Sequence, residues 1–182
     1  MSEFIAIISA KGGVGKTTAS INVSMSLSHF GANTLLVDCD FTSANVGTSL
    51  GFPPNFKNLH GVLNKNYCVG EAMHQHSSGL KIIPGSISYD DIKNLEFENL
   101  HTLLSELTGP DYIVVDCPPG LTDEVTKIIL AVDAVIIVTT PDLIAVTDTL
   151  KTLHMMKDLK KKVYGVIVNK KTDQQYEMTL EN

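Results

Sequence analysis

The sequence predicts an α/β fold of three layers, α/β/α, around a mostly parallel central sheet. Short apolar runs of strand length recur along the chain, at residues 4–8 (FIAII), 34–37 (TLLV), 112–115 (YIVV), 134–138 (AVIIV) and 163–168 (VYGVIV). They lack the apolar–polar alternation of half-exposed strands, so both sheet faces should be covered by helices. Segments with helical spacing separate them, and the first strand, helix and second strand form a βαβ unit with a short return. Its crossover should be right-handed and its strands parallel.

The first strand runs directly into residues 10–18, AKGGVGKTT, and these run directly into a helix. Glycines in such a loop let the backbone curl with its N–H groups inward. The following helix adds the positive end of its dipole, so the cavity attracts polyphosphate. Gly12, Gly13, Val14 and Gly15 supply the curl and Thr18 extends it. Lys16 brings a compact charge to the outer phosphates, and the Thr17 hydroxyl can replace a water on Mg²⁺. Against the general pattern G-x-x-x-x-G-K-[ST], Ala10 stands at the first glycine and a second lysine, Lys11, lies inside the loop.

KGGVGKTT resembles the deviant Walker A motif of the MinD/ParA family of P-loop ATPases. The resemblance implies a P-loop NTPase fold, ATP and Mg²⁺ as cofactors, and a role for Lys11 in reaching across a homodimer to the partner's nucleotide. It covers nearly all 182 residues in element order, read as a single domain, 1–182, that is short at the C-terminus relative to the family.

Along the chain, Ala19, Val23, Leu27 and Phe30 recur near helical spacing and Gly31 stops the helix. The second strand ends in Asp38-Cys39-Asp40, on the same carboxyl edge of the sheet as the glycine loop. Two acids there would repel a triphosphate unless Mg²⁺ or an attacking water stood between them. By the resemblance, DCDFTSANVG is switch I: Asp40 orients the hydrolytic water, Asp38 assists near the metal, and Asn45 is a contact across the dimer. Residues 51–79 give a weaker reading of variable surface, in which His74 and His76 belong to a solvated polar loop without a third ligand. Residues 80–83 restore a strand, closed by Pro84-Gly85, and a helix is expected over 95–107 with Leu100, Leu103, Leu104 and Leu107 on its apolar face.

The strand at 112–116 ends in Asp116, a Walker B pattern in which a buried strand fixes a carboxylate that holds Mg²⁺ through water. CPPG follows and looks like switch II, where a peptide N–H near Gly120 could sense the γ-phosphate. A helix is read over 123–131 and a strand over 134–138. Thr139-Thr140-Pro141-Asp142 then starts a long helix with Pro and Asp in its first turn. Asp142 and Asp148 are read as structural or interface residues. After the last strand stands Asn169, which the resemblance places at the adenine edge.

Composition bounds the function. A net charge of −6 counts against a surface built for nucleic acid, and Lys157, Lys160, Lys161 and Lys162 read as a solvated helix end. Cys39, Cys68 and Cys117 lack paired spacing, so neither a disulfide framework nor a cluster site is indicated; Cys39 and Cys117 are small apolar fillers. No signal peptide or spanning run is read, which places the protein in the cytoplasm, with a peripheral membrane position open in the natural assembly. The polar tail TDQQYEMTLEN is not the basic amphipathic helix that targets many family members to membranes. The function expected is a slow, dimer-gated, Mg²⁺-dependent ATPase switch that positions a division site, DNA or a flagellum with an activating or cargo protein. The alternatives are an iron–sulfur carrier, an amide-forming synthetase with the same loop, or a nucleotide-binding module that does not hydrolyse.

Overall fold

The computed structural model describes residues 2–53, 55–93, 100–172, 174, 177 and 178. Its strands are β1 (Glu3–Ile8), β2 (Thr34–Asp38), β3 (His74–Gln75), β4 (Lys81–Ile83), β5 (Tyr112–Asp116), β6 (Ala134–Thr139) and β7 (Lys162–Val168). The helices are α1 (Lys16–His29), α2 (Val46–Ser49), α3 (Leu59–Leu63), α4 (Tyr89–Lys93), α5 (Leu100–Glu106), α6 (Asp123–Ala131) and α7 (Leu143–Asp158), with a 3₁₀ turn at Val69–Ala72. One sheet holds all seven strands in the order β3-β4-β2-β5-β1-β6-β7. Every pair is parallel except β3 with β4. The expected three-layer fold is therefore the observed one.

Both faces of the sheet are covered over its central strands, as their unbroken apolar runs require, but the edge strand β7 is largely exposed, with Tyr164, Val166 and Val168 at the surface, against the expectation for residues 163–168. On one face, Ala6, Ile8, Val115, Val135 and Ile137 pack against Leu103 and Leu104 of α5, Val125, Ile128 and Ile129 of α6, and Met156 of α7. On the other, Ile5, Ile7, Leu36 and Val114 meet Ala19, Ile21 and Met25 of α1 and Val46 of α2. From β1 the chain crosses to β2 on one side, and β6 takes the other. The loop after β1 consequently opens at the point where the strand order reverses, where open α/β sheets bind ligands.

The structure differs from the sequence reading of the elements at three further places. The fully buried stripe of α1 is Lys16, Ser20 and Ser24, while Val23 is half-buried and Phe30 exposed. Small hydroxyl residues let this helix lie close on the sheet, which an apolar-periodicity argument overlooks. Its end is as expected: Gly31 has φ +91°, its N–H donates to Ser28 O and that of Ala32 to Leu27 O, so the last carbonyls are satisfied. Second, α7 begins only at Leu143. Thr139 closes β6, and Asp142 is the N-cap, accepting from the Ala145 N–H at 3.0 Å. Third, His74 is no loop residue: it pairs in β3 against β4, and its Nε2 meets Lys57 O at 2.8 Å.

Of the expected helix over 95–107, residues 95–99 lie outside those described, and Leu100, Leu103, Leu104 and Leu107 are buried. In the lysine cluster, Lys161 donates to the Leu130 and Val132 carbonyls at 2.9 and 2.7 Å, capping the C-terminal end of α6. Among the described residues, no helix is long and apolar enough to cross a membrane.

Tyr67 braces the segment before α3: its hydroxyl accepts from Asn58 N–H at 2.8 Å and lies within reach of Asn58 O at 3.2 Å. A Cβ on Gly61 would overlap that hydroxyl. Gly61→Ala is therefore expected to cost about 1–3 kcal/mol through overpacking. For a chain of this length that is a fall in Tm on the order of 2–10 °C. Thermal unfolding followed by circular dichroism checks it, and an unchanged Tm would show that Tyr67 moves aside freely.

Candidate functional site

The loop after β1 is shaped by two glycines with positive φ, Gly13 at +76° and Gly15 at +96°. Gly15 stands immediately before α1, and a Cβ there would overlap the Asn169 side-chain amide. A cavity of about 510 Å³ opens over this loop, walled by Lys11, Gly12, Gly13, Gly15, Lys16, Thr17, Thr18, Asp40, Ser43, Asn45, Pro119 and Lys170, among others. Most of the expected phosphate-binding residues thus converge on one concavity. Val14 does not line it and is buried beneath the loop, 4% exposed.

Under the loop lie two acids. β2 and β5 are neighbours with Asp38 in register with Asp116, and both carboxylates have no solvent exposure. Lys16, itself 6% exposed, brings its Nζ to 3.5 Å from Asp116 Oδ1. That oxygen also accepts from Ser20 Oγ at 2.8 Å, one helical turn beyond Lys16. Thr17 lies close enough to the same carboxylate to lower its pKa. Burial nevertheless raises the Asp116 pKa against the lowering effects of Lys16, Thr17 and Ser20. Asp38 is pushed up to about 7, first by burial and next by the charge of Asp116, against two backbone hydrogen bonds.

Those two bonds define what Asp38 does here. Its Oδ2 accepts from Val46 N–H at 3.0 Å and its Oδ1 from Asp40 N–H at 3.2 Å, so it organises the loop that carries Asp40. Both oxygens are occupied by backbone donors, and the side chain lies beneath the cavity wall. Asp40 does reach the cavity, with Oδ1 accepting from Ser43 N–H at 3.1 Å.

The donor set fits a divalent cation bound with polyphosphate. Among the described residues, Asp116 Oδ2 is the buried side-chain oxygen left without a hydrogen-bond partner. An orphaned carboxylate oxygen is costly unless a water or cation completes it. Hard oxygen donors from a hydroxyl and a carboxylate suit Mg²⁺ with several retained waters. Thr17 directly, and Asp116 through water, are the residues that would hold it.

Other expected residues take different partners. Lys11 is half-exposed and lies 3.6 Å from Asp142 Oδ1 of its own chain. The Asp142 pKa is lowered by Thr140 first, then by the Ala145 N–H and, more weakly, by Lys11. Asp148 pairs with Lys151 on the surface of α7. The Asn169 amide, expected at a base, donates to Val14 O at 2.8 Å and braces the loop from behind. The Gly120 N–H donates to Ser9 O at 2.9 Å, so in this structure it is tied to the end of β1 rather than aimed at the cavity. Cys39 and Cys117 are fully buried, and burial pushes both thiols up, in keeping with apolar filling.

Sequence reasoning missed Ser20 and Lys170. Ser20 is four residues after Lys16, and that helical spacing could have revealed it. Lys170 has φ +57° and donates to Gly13 O at 2.6 Å, and no spacing rule points to it.

A family model described as an AAA domain matches residues 2–172. An uncharacterized ATP-binding protein of Methanocaldococcus jannaschii is 30% identical over 179 residues, 98% of this chain and 68% of that protein. A second from the same organism is 29% identical over 167 residues, 91% of this chain and 64% of that protein. The septum site-determining protein MinD of Pyrococcus horikoshii OT3, solved in complex with Mg-ADP, superposes with a TM-score of 0.93 at 31% identity, covering 100% of this chain and 75% of that one. The chain thus spans 64% to 75% of the length of these relatives.

Asp38 makes stability depend on pH. Its folded pKa is raised, so its contribution is fully present below the unfolded value near 3.8 and is lost as pH rises through about 7. Without nucleotide and Mg²⁺, the advantage of wild type over Asp38→Asn should shrink by about 2–3 kcal/mol between pH 5 and pH 8. Urea unfolding at the two pH values reads this directly, and an advantage that grows with pH would contradict it.

Proposed function

The chain belongs to the MinD/ParA family of P-loop ATPases, and on that footing we propose that it is a Mg²⁺-dependent, ATP-hydrolysing switch that dimerises on ATP. The observation that carries the reading is the buried pair Asp38 and Asp116 beneath the phosphate loop, with Lys16 beside it and Asp116 Oδ2 unpartnered. Such a pair is expensive to maintain unless a cation bound with polyphosphate completes it.

In this reading the loop amides, Lys16 and the N-terminal end of α1 bind the phosphates and stabilise charge on the transferring phosphoryl group. Mg²⁺, when bound, spreads that charge further. Asp40, held by the Ser43 N–H at the cavity wall, orients the attacking water. Asp38 acts through the backbone it holds, and Ser20 and Lys16 fix the orientation of Asp116.

In this reading Lys11 supports a dimeric state. In the single chain it rests on Asp142, a pair exposed enough to exchange partners at little cost. Leu143 and Ile144, each 64% exposed, follow Asp142, and Leu121, 38% exposed, follows Gly120. An apolar fringe beside a transferable lysine fits a second copy closing over the nucleotide, with Lys11 of each chain reaching the other's phosphates. Hydrolysis would then release the pair, and the switch would position a cellular structure through an activating or cargo protein. An iron–sulfur carrier is the weaker reading: Cys39 and Cys117 are buried with raised thiol pKa values. Among the described residues no group of three or more His, Cys, Asp or Glu could hold a metal.

ATP turnover per chain, measured with Mg²⁺ across protein concentrations, tests the proposal. Specific activity should rise with concentration in wild type. Lys11→Ala should abolish the rise and lower the plateau by a factor on the order of 10²–10³, the scale of losing a charge-stabilising group. Turnover independent of concentration and of Lys11 would remove the dimer-gated switch.

A further inference from the structure

His60 of α3 has no solvent exposure, so both of its ring nitrogens must be satisfied within the protein. The Ser86 N–H lies 3.0 Å from Nδ1. A backbone amide can only donate, so Nδ1 is the acceptor and, in a neutral ring, Nε2 carries the hydrogen. Nε2 lies 3.0 Å from the Phe41 carbonyl and donates to it. The tautomer is thereby set by two backbone groups from different loops.

Phe41 directly follows Asp40. Its ring is 1% exposed and meets the imidazole edge to face, with centroids 5.7 Å apart. Ser86 belongs to the turn after β4, where its hydroxyl donates to Asp91 Oδ2 at 2.6 Å and accepts from Ser88 N–H at 3.0 Å. A Cβ on Gly85 of the same turn would crowd Ala44 and the Asp38 carboxyl, so this turn is seated against the Asp40 loop. The bonds from Asp38 and Ser43 tie that loop to itself and to β2. The imidazole ties it to α3 and to the β4 turn.

We propose that His60 is a positioning residue for the reaction: its neutral ring is the strut that fixes the backbone carrying Asp40 against the turn after β4. The proposal deepens the hydrolytic reading and rests on it for its kinetic consequence. A leucine or phenylalanine would fill the same volume. Histidine adds a donor and an acceptor on opposite sides of one rigid ring. Burial lowers the ring's pKa, opposed by the Phe41 carbonyl and by Asp91 of α4, which keeps it neutral in neutral solution. Protonation would set an N–H against the Ser86 N–H and remove one half of the strut.

Two substitutions separate the halves. The side-chain nitrogen of His60→Gln can stand where Nε2 does and keep the Phe41 bond. The oxygen of His60→Asn can stand where Nδ1 does and keep only the Ser86 bond. ADP affinity should stay within about threefold of wild type in both, since the phosphate loop is untouched. In His60→Asn, kcat should fall about tenfold with little change in KM, the scale of one lost hydrogen bond to a fixed group. Amide hydrogen exchange over residues 41–46 should quicken by a similar factor, whereas His60→Gln, which loses the Ser86 bond but keeps the loop tied to α3 through Phe41, should retain most of both. Equal loss in the two variants, or exchange over 41–46 unchanged in His60→Asn, would overturn the strut. If wild type hydrolyses no ATP, the proposed function fails while the exchange comparison still decides the strut. ¹⁵N NMR of the unsubstituted chain closes the case in which a variant does not fold: an Nε2–H ring at pH 7 is expected, and an Nδ1–H or doubly protonated ring contradicts the proposal.

Discussion

Two carboxylates, Asp38 and Asp116, lie side by side on adjacent parallel strands with no exposure to water, and the rest of the site is arranged around that constraint. Burial in a low dielectric pushes both towards the protonated form, and for Asp38 the charge of Asp116 adds to it. The molecule tolerates the pair by surrounding it with donors. Lys16 and Ser20 descend from the first turns of α1 onto one acid, and the backbone of residues 40–46 folds over the other. Small buried residues on α1 allow that approach. The fold and the chemistry are thus set by the same contacts.

The constraint reaches outward in two directions. Through Asp38 it shapes the loop that presents Asp40, and His60 secures the far side of that loop to the body of the protein. Through the phosphate loop it reaches Lys11, whose partner Asp142 is also the cap of α7. A lysine that changes partners would leave Asp142 in place as a cap, because the Ala145 N–H and Thr140 hydroxyl still hold it. Moving Lys11 therefore need not unravel the helix. In the proposed switch, this would let one residue serve a closed dimer and an open monomer.

Much of this was legible in the sequence because it rests on local rules. Unbroken apolar runs gave covered parallel strands, KGGVGKTT gave the loop, and an acid at the end of a buried strand gave Asp116. What was not legible depends on distant contacts. Ser20 looks like an indifferent helix residue until β5 is laid beneath it. Asn169 and Lys170 are an ordinary turn in one dimension, yet both donate to carbonyls of the phosphate loop more than 150 positions earlier. The sequence pattern puts Asp142 inside a helix that it in fact caps, a boundary that propensity resolves poorly. His60 carries no motif, because its role is defined by two backbone groups that only the fold brings together.

The most direct test of this account is the affinity for ADP with and without Mg²⁺, measured by calorimetry for wild type and Asp116→Asn. If the buried acids exist to receive a cation with the nucleotide, Mg²⁺ tightens ADP binding by at least about tenfold in wild type, and Asp116→Asn loses most of that gain. If ADP binds wild type equally with and without Mg²⁺, or the gain survives in Asp116→Asn, the buried pair is not a cation site and the account built on it is wrong.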